Sequence, residues 1–88
     1  MKTNQQIADI IAERNPEAVL ADGFDECIIG ITGDGTVVYD ADEMIKTLMA
    51  NSDMDEEGAL EFFDYNIQGA FVGEYTPVYV WKINDETI

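Results

Sequence analysis

The chain has 88 residues, 47% of them hydrophobic, and it carries 19 Asp and Glu against 4 Lys and Arg, for a net charge of -15. This length predicts a single domain, residues 1–88, with one core, and the apolar content argues against a disordered chain. No apolar run is long enough to span a bilayer. So large a negative charge argues against direct binding to nucleic acid or to a membrane, and it favours a basic protein surface as the partner.

Helical signals open the chain. A T-x-x-Q capping signature at Thr3, followed by isoleucines at helical spacing, predicts a first helix that ends near Arg14. Asn15 followed by Pro16 predicts a second, short helix, which Gly23 ends. Two helices are therefore expected before the first strand.

Signals for β-strands follow the helical ones. Residues 26–32 and 36–39 are β-branched and apolar, and the Gly-Asp-Gly sequence at 33–35 is a turn signal. These two segments therefore predict a hairpin. Pro77 interrupts the later pattern, and residues 78–83 predict a last strand.

Two further helices are predicted between the hairpin and the last strand. Asp40 and Glu43 form a D-x-x-E start for a helix that ends near Asn51, and Asp53 or Asp55 caps a longer one. The core-facing residues are predicted to be Ala41, Met44, Ile45, Leu48 and Met49 in the first of these helices and Leu60, Phe63, Ile67 and Ala70 in the second. The order ααββααβ predicts an α+β fold with three to four helices on a three-stranded, mainly antiparallel sheet.

The residue types that most often catalyse reactions are scarce. The chain has no histidine and a single cysteine, Cys27, which lies beside apolar residues and is expected in the core. We therefore predict no enzymatic activity, no catalytic residue and no cofactor. A lone cysteine also fits a reducing compartment, which predicts a cytoplasmic protein.

Clusters of carboxylates raise the alternative of a site for Mg²⁺ or Ca²⁺. The candidate clusters are Asp22, Asp25 and Glu26, and Asp40, Asp42 and Glu43. Neither follows the spacing of a calcium-binding loop, and a helix cap already accounts for Asp40 and Glu43. A metal-dependent hydrolase is therefore the least favoured hypothesis, and we predict no metal site.

The long helix predicts a row of exposed carboxylates. Glu57, Glu61 and Asp64 fall at i, i+4 and i+7, opposite the apolar stripe and about 4.5 to 6 Å apart along the axis. The predicted partner-binding site consists of these three and of the acidic residues at the helix start, Asp53, Asp55 and Glu56. A solvated coat and adaptation to high salt are the alternatives, although -15 exceeds the magnitude of about 2 to 8 that solubility requires.

Aromatic residues in the last part of the chain have two interpretations. Phe71 is predicted to lie in the core. Tyr79 and Trp81 lie on one side of the last strand, and Val78 and Val80 on the other side are predicted to face the core. Tyr79 and Trp81 are then candidate interface residues for a partner or for a second copy of the chain, and a homodimer is the alternative assembly.

Four segments together resemble a known family. They are residues 23–31, 37–40, 54–63 and 66–77, and the most distinctive is the pattern N-x-x-G-A-F-V-G-x-x-T-P in the last of them. This combination resembles a family of small acidic proteins encoded by tailed bacteriophages and prophages, usually without an assigned function. The resemblance implies a phage setting, a location in the host cell and a compact α+β fold, and it supplies no catalytic motif.

Two functions remain open from the sequence. The first is a small acidic interaction protein of the phage type, without catalytic activity. The alternative is a DNA mimic, in which the carboxylates substitute for phosphates and inhibit a host nucleic-acid-binding protein such as a defence system or a polymerase. In the first, the strand with Tyr79 and Trp81 is the contact surface, for instance of a homodimer, and the acidity is only a solubility coat. In the second, the carboxylates bind a basic surface of a host protein, and the binding weakens steeply with salt.

Overall fold

A computed structural model describes residues 4–83 of the chain. Helices α1, α2 and α3 span Asn4–Arg14, Ala41–Ser52 and Glu56–Phe62, and strands β1, β2 and β3 span Ile28–Ile31, Val37–Asp40 and Val78–Val80. A 3-10 turn covers Asp25–Cys27, and α3 continues as a π-helical turn over Phe63–Gln68. The fold of this part of the chain is therefore α+β, as predicted. Within residues 4–83, no helix combines the length and the apolar character that crossing a membrane requires.

The sheet is mixed. Its strand order is β1-β2-β3, with β1 antiparallel to β2 and β3 parallel to β2. The predicted hairpin is confirmed, whereas the prediction of a mainly antiparallel sheet is wrong for the second pair. The reason is the connection: α2 and α3 return the chain to the starting end of β2, so β3 runs in the same direction as β2, as a crossover connection requires.

The segment after α1 forms a turn instead of the predicted second helix. The side-chain oxygen of Asn15 accepts a hydrogen bond from the Glu17 N–H at 3.0 Å, as a cap would. The Asn15 Nδ2 also donates to the Gly35 carbonyl oxygen at 3.0 Å, and the side chain is buried. Asn15 thus joins the end of α1 to the hairpin turn, and the described elements follow the order αββααβ. The cap predicted at Thr3 lies outside the described residues.

Two helix starts confirm the capping signals. Asp40 Oδ1 accepts from the Glu43 N–H at 3.2 Å, and Asp55 Oδ1 accepts from the Gly58 N–H at 2.7 Å. Caps of this kind contribute about 1 kcal/mol each. Asp53 follows α2 in the left-handed region, with φ 56°, and turns the chain between the two helices.

The core lies between the sheet and the helices. Its largest fully buried side chains are Tyr39, Phe63, Met44 and Val37. Tyr39 is paired with Tyr79 across β2 and β3, and the centroids of their stacked rings lie 5.7 Å apart. Phe63 meets Tyr79 edge-on at 5.3 Å. A cluster of aromatic rings therefore joins the parallel strand pair to the π-helical turn.

The side chains of β3 that face the core are not the predicted ones, so the prediction that Val78 and Val80 face the core was wrong. Tyr79 contacts Tyr39 and Phe63, whereas Val78 and Val80 are exposed on the other face of the sheet. Alternation along a strand does not say which set is buried, and an aromatic ring buries more apolar area than a valine does. The pairing of Tyr79 with the buried Tyr39 therefore decides the phase.

The core stripe of the last helix also differs from the prediction. Ala59 and Phe63 are fully buried, and Ile67 packs against the core, so the stripe follows steps of four residues. Leu60 lies beside this stripe and is 38% exposed. The assignment of Leu60 to the core was therefore wrong, and its place is on the wall of a groove described below.

Residues after Gln68 leave the helix. Ala70 and Phe71 are exposed, Phe71 to 83%, so their assignment to the core was wrong. The chain turns instead at Gly73, whose φ is 114°, and the Thr76 hydroxyl donates to the Gly73 carbonyl oxygen at 2.7 Å. The helical conformation ends at Gln68, so the spacing that predicts Ala70 on the apolar stripe no longer applies there.

The hydroxyl of Tyr39 makes a testable contribution to stability. It accepts a hydrogen bond from the Ala21 N–H at 2.7 Å, and burial raises the pKa of Tyr39 to about 12. Tyr39→Phe leaves that N–H without its acceptor and should cost about 1 to 2 kcal/mol in urea unfolding at neutral pH. Below pH about 10 the phenol is neutral in both states, so the full stability is present. Between pH about 10 and about 12 only the unfolded phenol ionises, so stability falls.

The variant itself provides the check on this pH dependence. Tyr39→Phe should flatten the alkaline decline in the urea midpoint, because it removes a phenol whose pKa burial raises to about 12 in the folded state. An unchanged alkaline decline would show that other groups cause it.

Candidate functional site

The carboxylates predicted to form a row lie together on the last helix. Glu57 and Glu61 occupy successive turns of α3, and Asp64 follows at the start of the π-helical turn, with all three side chains exposed. With 3.6 residues per turn, Glu61 lies about 40° around α3 from Glu57, and Asp64 follows three residues later, at the second position of the π-helical turn. These three residues, termed the acidic ridge below, therefore point in one general direction.

The other acidic residues of the predicted site have local structural roles. Asp53 ends α2, and the carboxylate of Asp55 caps α3. Glu56 lies in the first turn of α3, where the partial positive charge of the helix N-terminus stabilises a carboxylate. Glu61 and Asp64 lie beyond that turn and gain nothing from it. Helix stability thus explains the start of the acidic segment but not its continuation.

Basic residues do not compensate the ridge. No Lys or Arg occurs in the sequence between Lys46 and Lys82. Within residues 4–83 the ion pairs join Lys46 to Glu43, at 3.4 Å, and Lys82 to Asp40, at 3.2 Å. The ridge takes part in neither, so it presents uncompensated negative charge to the solvent.

A groove of about 300 Å³ lies between α2 and α3. Four residues of α2, at i, i+3, i+4 and i+7, line one wall: Asp42, Ile45, Lys46 and Met49. Glu56 and Leu60, one turn apart on α3, line the other wall. The groove lining therefore combines apolar side chains with two carboxylates and the ammonium group of Lys46.

Trp81 also lines this groove. Its ring meets Phe63 edge-on at 5.5 Å, and the side chain is 43% exposed. The next residue holds the chain in place, because the Lys82 N–H donates to Asp42 Oδ2 at 2.8 Å and the Lys82 ammonium pairs with the buried Asp40. The hydrogen bond and charge of Asp40 raise the pKa of Lys82. Trp81 is thus fixed at the groove while part of its ring stays accessible.

The structure brings together residues that the sequence analysis assigned to separate surfaces. Trp81 and Glu56 line the same groove, and Leu60 on its wall lies about 60° around α3 from Glu57 of the ridge. Tyr79, in contrast, is half-buried among the core rings. Tyr79 and Trp81 therefore do not form a joint aromatic surface, and Trp81 belongs with the acidic side of the molecule.

Sequence reasoning missed the apolar part of this site. Met49 was assigned to the core stripe of α2, yet it is 37% exposed. The width of that apolar stripe could have indicated the exposed side chain. Its five residues cover about 140° around the axis of α2, whereas an apolar stripe about 100° wide is enough to pack one face of a helix on the core. The excess at the Ile45 and Met49 edge forms the groove wall.

The chemistry available elsewhere in the described residues is limited. Burial raises the pKa of the Cys27 thiol, and its Sγ lies 3.6 Å from the Thr47 hydroxyl, so the prediction of a core cysteine is confirmed. Within residues 4–83 no three carboxylates or thiols are grouped so that they could hold a metal ion. Of the candidate metal ligands, Asp40 already caps α2 and pairs with Lys82.

Comparison of the chain with known protein families, with curated proteins and with solved structures gives no match in any of the three. Functional inference therefore rests on the geometry just described. The resemblance to small acidic phage proteins stays a prediction from the sequence.

Proposed function

We propose that this chain is a non-catalytic interaction protein that binds a basic surface of another protein through the side of α3 that carries the acidic ridge. The observation that carries the proposal is the shared direction of Glu57, Glu61 and Asp64 on a segment without Lys or Arg. Such a surface attracts cationic partners over the range of a Debye length, which is about 10 Å at 0.1 M salt.

The energetics of the helix support this proposal. Like charges one turn apart, such as Glu57 and Glu61, destabilise a helix by a few tenths of a kcal/mol. Glu57 lies in the first turn of α3, where the helix N-terminus stabilises its charge, but Glu61 lies beyond that turn and meets only the repulsion. Arg and Lys side chains of a partner would convert that repulsion into attraction, so the row is better suited to a complex than to the free protein.

The narrower alternative is a DNA mimic that inhibits a host nucleic-acid-binding protein. The ridge residues rise by about 4.5 to 6 Å from one to the next, a scale comparable to the phosphates along one DNA strand. This version predicts that duplex DNA displaces the protein from its partner. Partner release by DNA separates the mimic from a protein that binds a basic surface of another kind.

The setting that we propose is a host bacterium infected by a phage. It rests on the resemblance of residues 66–77 and the other quoted segments to small acidic phage proteins. The buried single cysteine fits the reducing cytoplasm of that host. The partner would then be a host protein with a basic surface.

Affinity capture from host lysate at low salt tests the proposal. The ridge variant Glu57→Gln, Glu61→Gln and Asp64→Asn should lose at least about 90% of the basic protein that the unmodified chain captures, since three charge-assisted contacts are removed. A matched control variant removes the same number of exposed carboxylates from α1 and the turn after it: Asp9→Asn, Glu13→Gln and Glu17→Gln.

The test compares the amount of basic protein captured by the ridge variant with the amount captured by the control variant. Both have the same net charge, so a non-specific electrostatic effect would weaken capture equally in both. Equal loss, or full capture by the ridge variant, would overturn the proposed function. Loss in the ridge variant alone supports it.

A further inference from the structure

We propose that the groove between α2 and α3 receives a basic amphipathic helix of the partner, an inference that rests on the proposed function and specifies the partner segment. The apolar lining of the groove is formed by Ile45 and Met49 on the α2 wall, Leu60 on the α3 wall, and Trp81. Met49, Leu60 and Trp81 are each exposed to between 37% and 43%. Three large apolar side chains that share one concave surface define a contact for apolar anchors rather than for charge alone.

The dimensions of the groove fit two turns of a helix. The α2 wall runs from Asp42 to Met49, seven residue steps along the helix, which corresponds to about 10 Å. A docked helix places apolar side chains at i, i+3 or i+4, and i+7 over the same length. Met49 suits this role, since its unbranched side chain adapts to the shape of different anchors.

The charges at the rim select a basic helix. Asp42 and Glu56 line the groove itself, and the acidic ridge follows on the outer side of α3. Among the described residues that line the groove, the one cation is Lys46, and its ion pair is with Glu43 at 3.4 Å and not with the carboxylates of α3. A helix with Lys or Arg on both sides of its apolar stripe would pair with this rim, and an acidic helix would be repelled.

The same charges disfavour other occupants. A second copy of this chain, docked groove to groove, would bring two acidic ridges together, and each copy carries a net charge of -15. An anionic membrane surface would be repelled for the same reason. A cationic partner segment with an apolar stripe is the occupant that both the apolar lining and the surrounding carboxylates favour.

Trp81 provides a direct readout, because it is the single tryptophan of the chain. The probe is a helical peptide of leucine and lysine, about 14 residues or roughly four turns long, whose leucines form one stripe. Its control is a scrambled peptide of the same composition and charge, which has no stripe. The striped peptide should shift Trp81 emission to shorter wavelength and bind at least about tenfold more tightly than the scrambled one.

Groove variants test whether the contact lies where we place it. Leu60→Gln with Met49→Gln should remove the preference for the striped peptide, and both positions are exposed enough to accept glutamine without unfolding, which circular dichroism checks. The matched control, Ile29→Gln with Val72→Gln, removes exposed apolar side chains elsewhere and should keep the preference. An equal effect of the two double variants would overturn the assignment to this groove.

The outcomes separate this inference from the function on which it rests. If both peptides bind equally and Trp81 emission does not move, the groove is not the docking site, and the acidic ridge alone accounts for binding. If neither peptide binds at low salt, the attraction to basic partners fails, and with it the proposed function. If Trp81 becomes buried through concentration-dependent dimerisation without peptide, a second copy is the occupant and the inference is overturned.

Discussion

Replacing Phe63 by alanine is expected to destabilise the protein by about 3 to 5 kcal/mol. Phe63 is fully buried, and its ring contacts Tyr79 at 5.3 Å and Trp81 at 5.5 Å, so it joins the π-helical turn to the last strand. A domain of this size has a free energy of unfolding of roughly 5 to 10 kcal/mol. The loss should therefore lower the urea midpoint steeply and change Trp81 emission in the folded state.

Phe71→Ala is the matched control. Phe71 is the same residue type on the same stretch of chain, but it is 83% exposed. Its replacement should change the free energy of unfolding by less than about 0.5 kcal/mol. Equal costs for the two variants would contradict the placement of both rings, and a larger cost for Phe71 would favour the prediction made from the sequence.

Gly35→Ala is expected to cost about 2 to 4 kcal/mol. Gly35 has φ 93°, which residues with a side chain adopt at a cost of about 1 to 2 kcal/mol. A methyl group there would also lie 2.7 Å from Nδ2 and 2.8 Å from Cβ of Asn15. Because Cβ cannot rotate away, α1 must shift and the hydrogen bond from Asn15 to the Gly35 carbonyl must lengthen.

The neighbouring glycine supplies the control in urea unfolding. Gly33 lies in the same turn, and a methyl group on it would meet nothing within 4 Å. Gly33→Ala should therefore leave the free energy of unfolding unchanged or raise it slightly, because alanine restricts the unfolded chain. Similar costs at both positions would show that the close approach of Asn15 to the turn does not determine the stability of the hairpin.

Local signals predicted the parts of the fold that depend on few neighbours. Asp40 and Asp55 cap helices through hydrogen bonds within three residues, so the sequence alone locates them. The same holds for the hairpin around residues 33–35 and for the spacing of Glu57 and Glu61 along one helix. These features need no knowledge of what lies across the core.

Features that depend on distant partners were not predictable in the same way. Asn15 followed by Pro16 predicts the start of a helix. The hydrogen bond from Asn15 to Gly35, 20 residues away, instead holds this segment in a turn. The phase of the last strand depends on the pairing of Tyr79 with Tyr39, which requires the parallel crossover to be known first. The groove likewise forms only where α2, α3 and Trp81 meet, so helical spacing alone places Leu60 and Met49 in the core.

The salt dependence of the captured complex tests the central claim most directly. Dissociation constants of the unmodified chain and of the ridge variant would be measured with the same purified partner between about 0.05 and about 0.5 M salt. If the acidic ridge carries recognition, the affinity of the unmodified chain falls steeply with salt, and the ridge variant shows a weaker affinity with a much flatter slope. Parallel slopes for the two proteins would contradict the claim, because the negative charge would then act without any contribution from Glu57, Glu61 and Asp64.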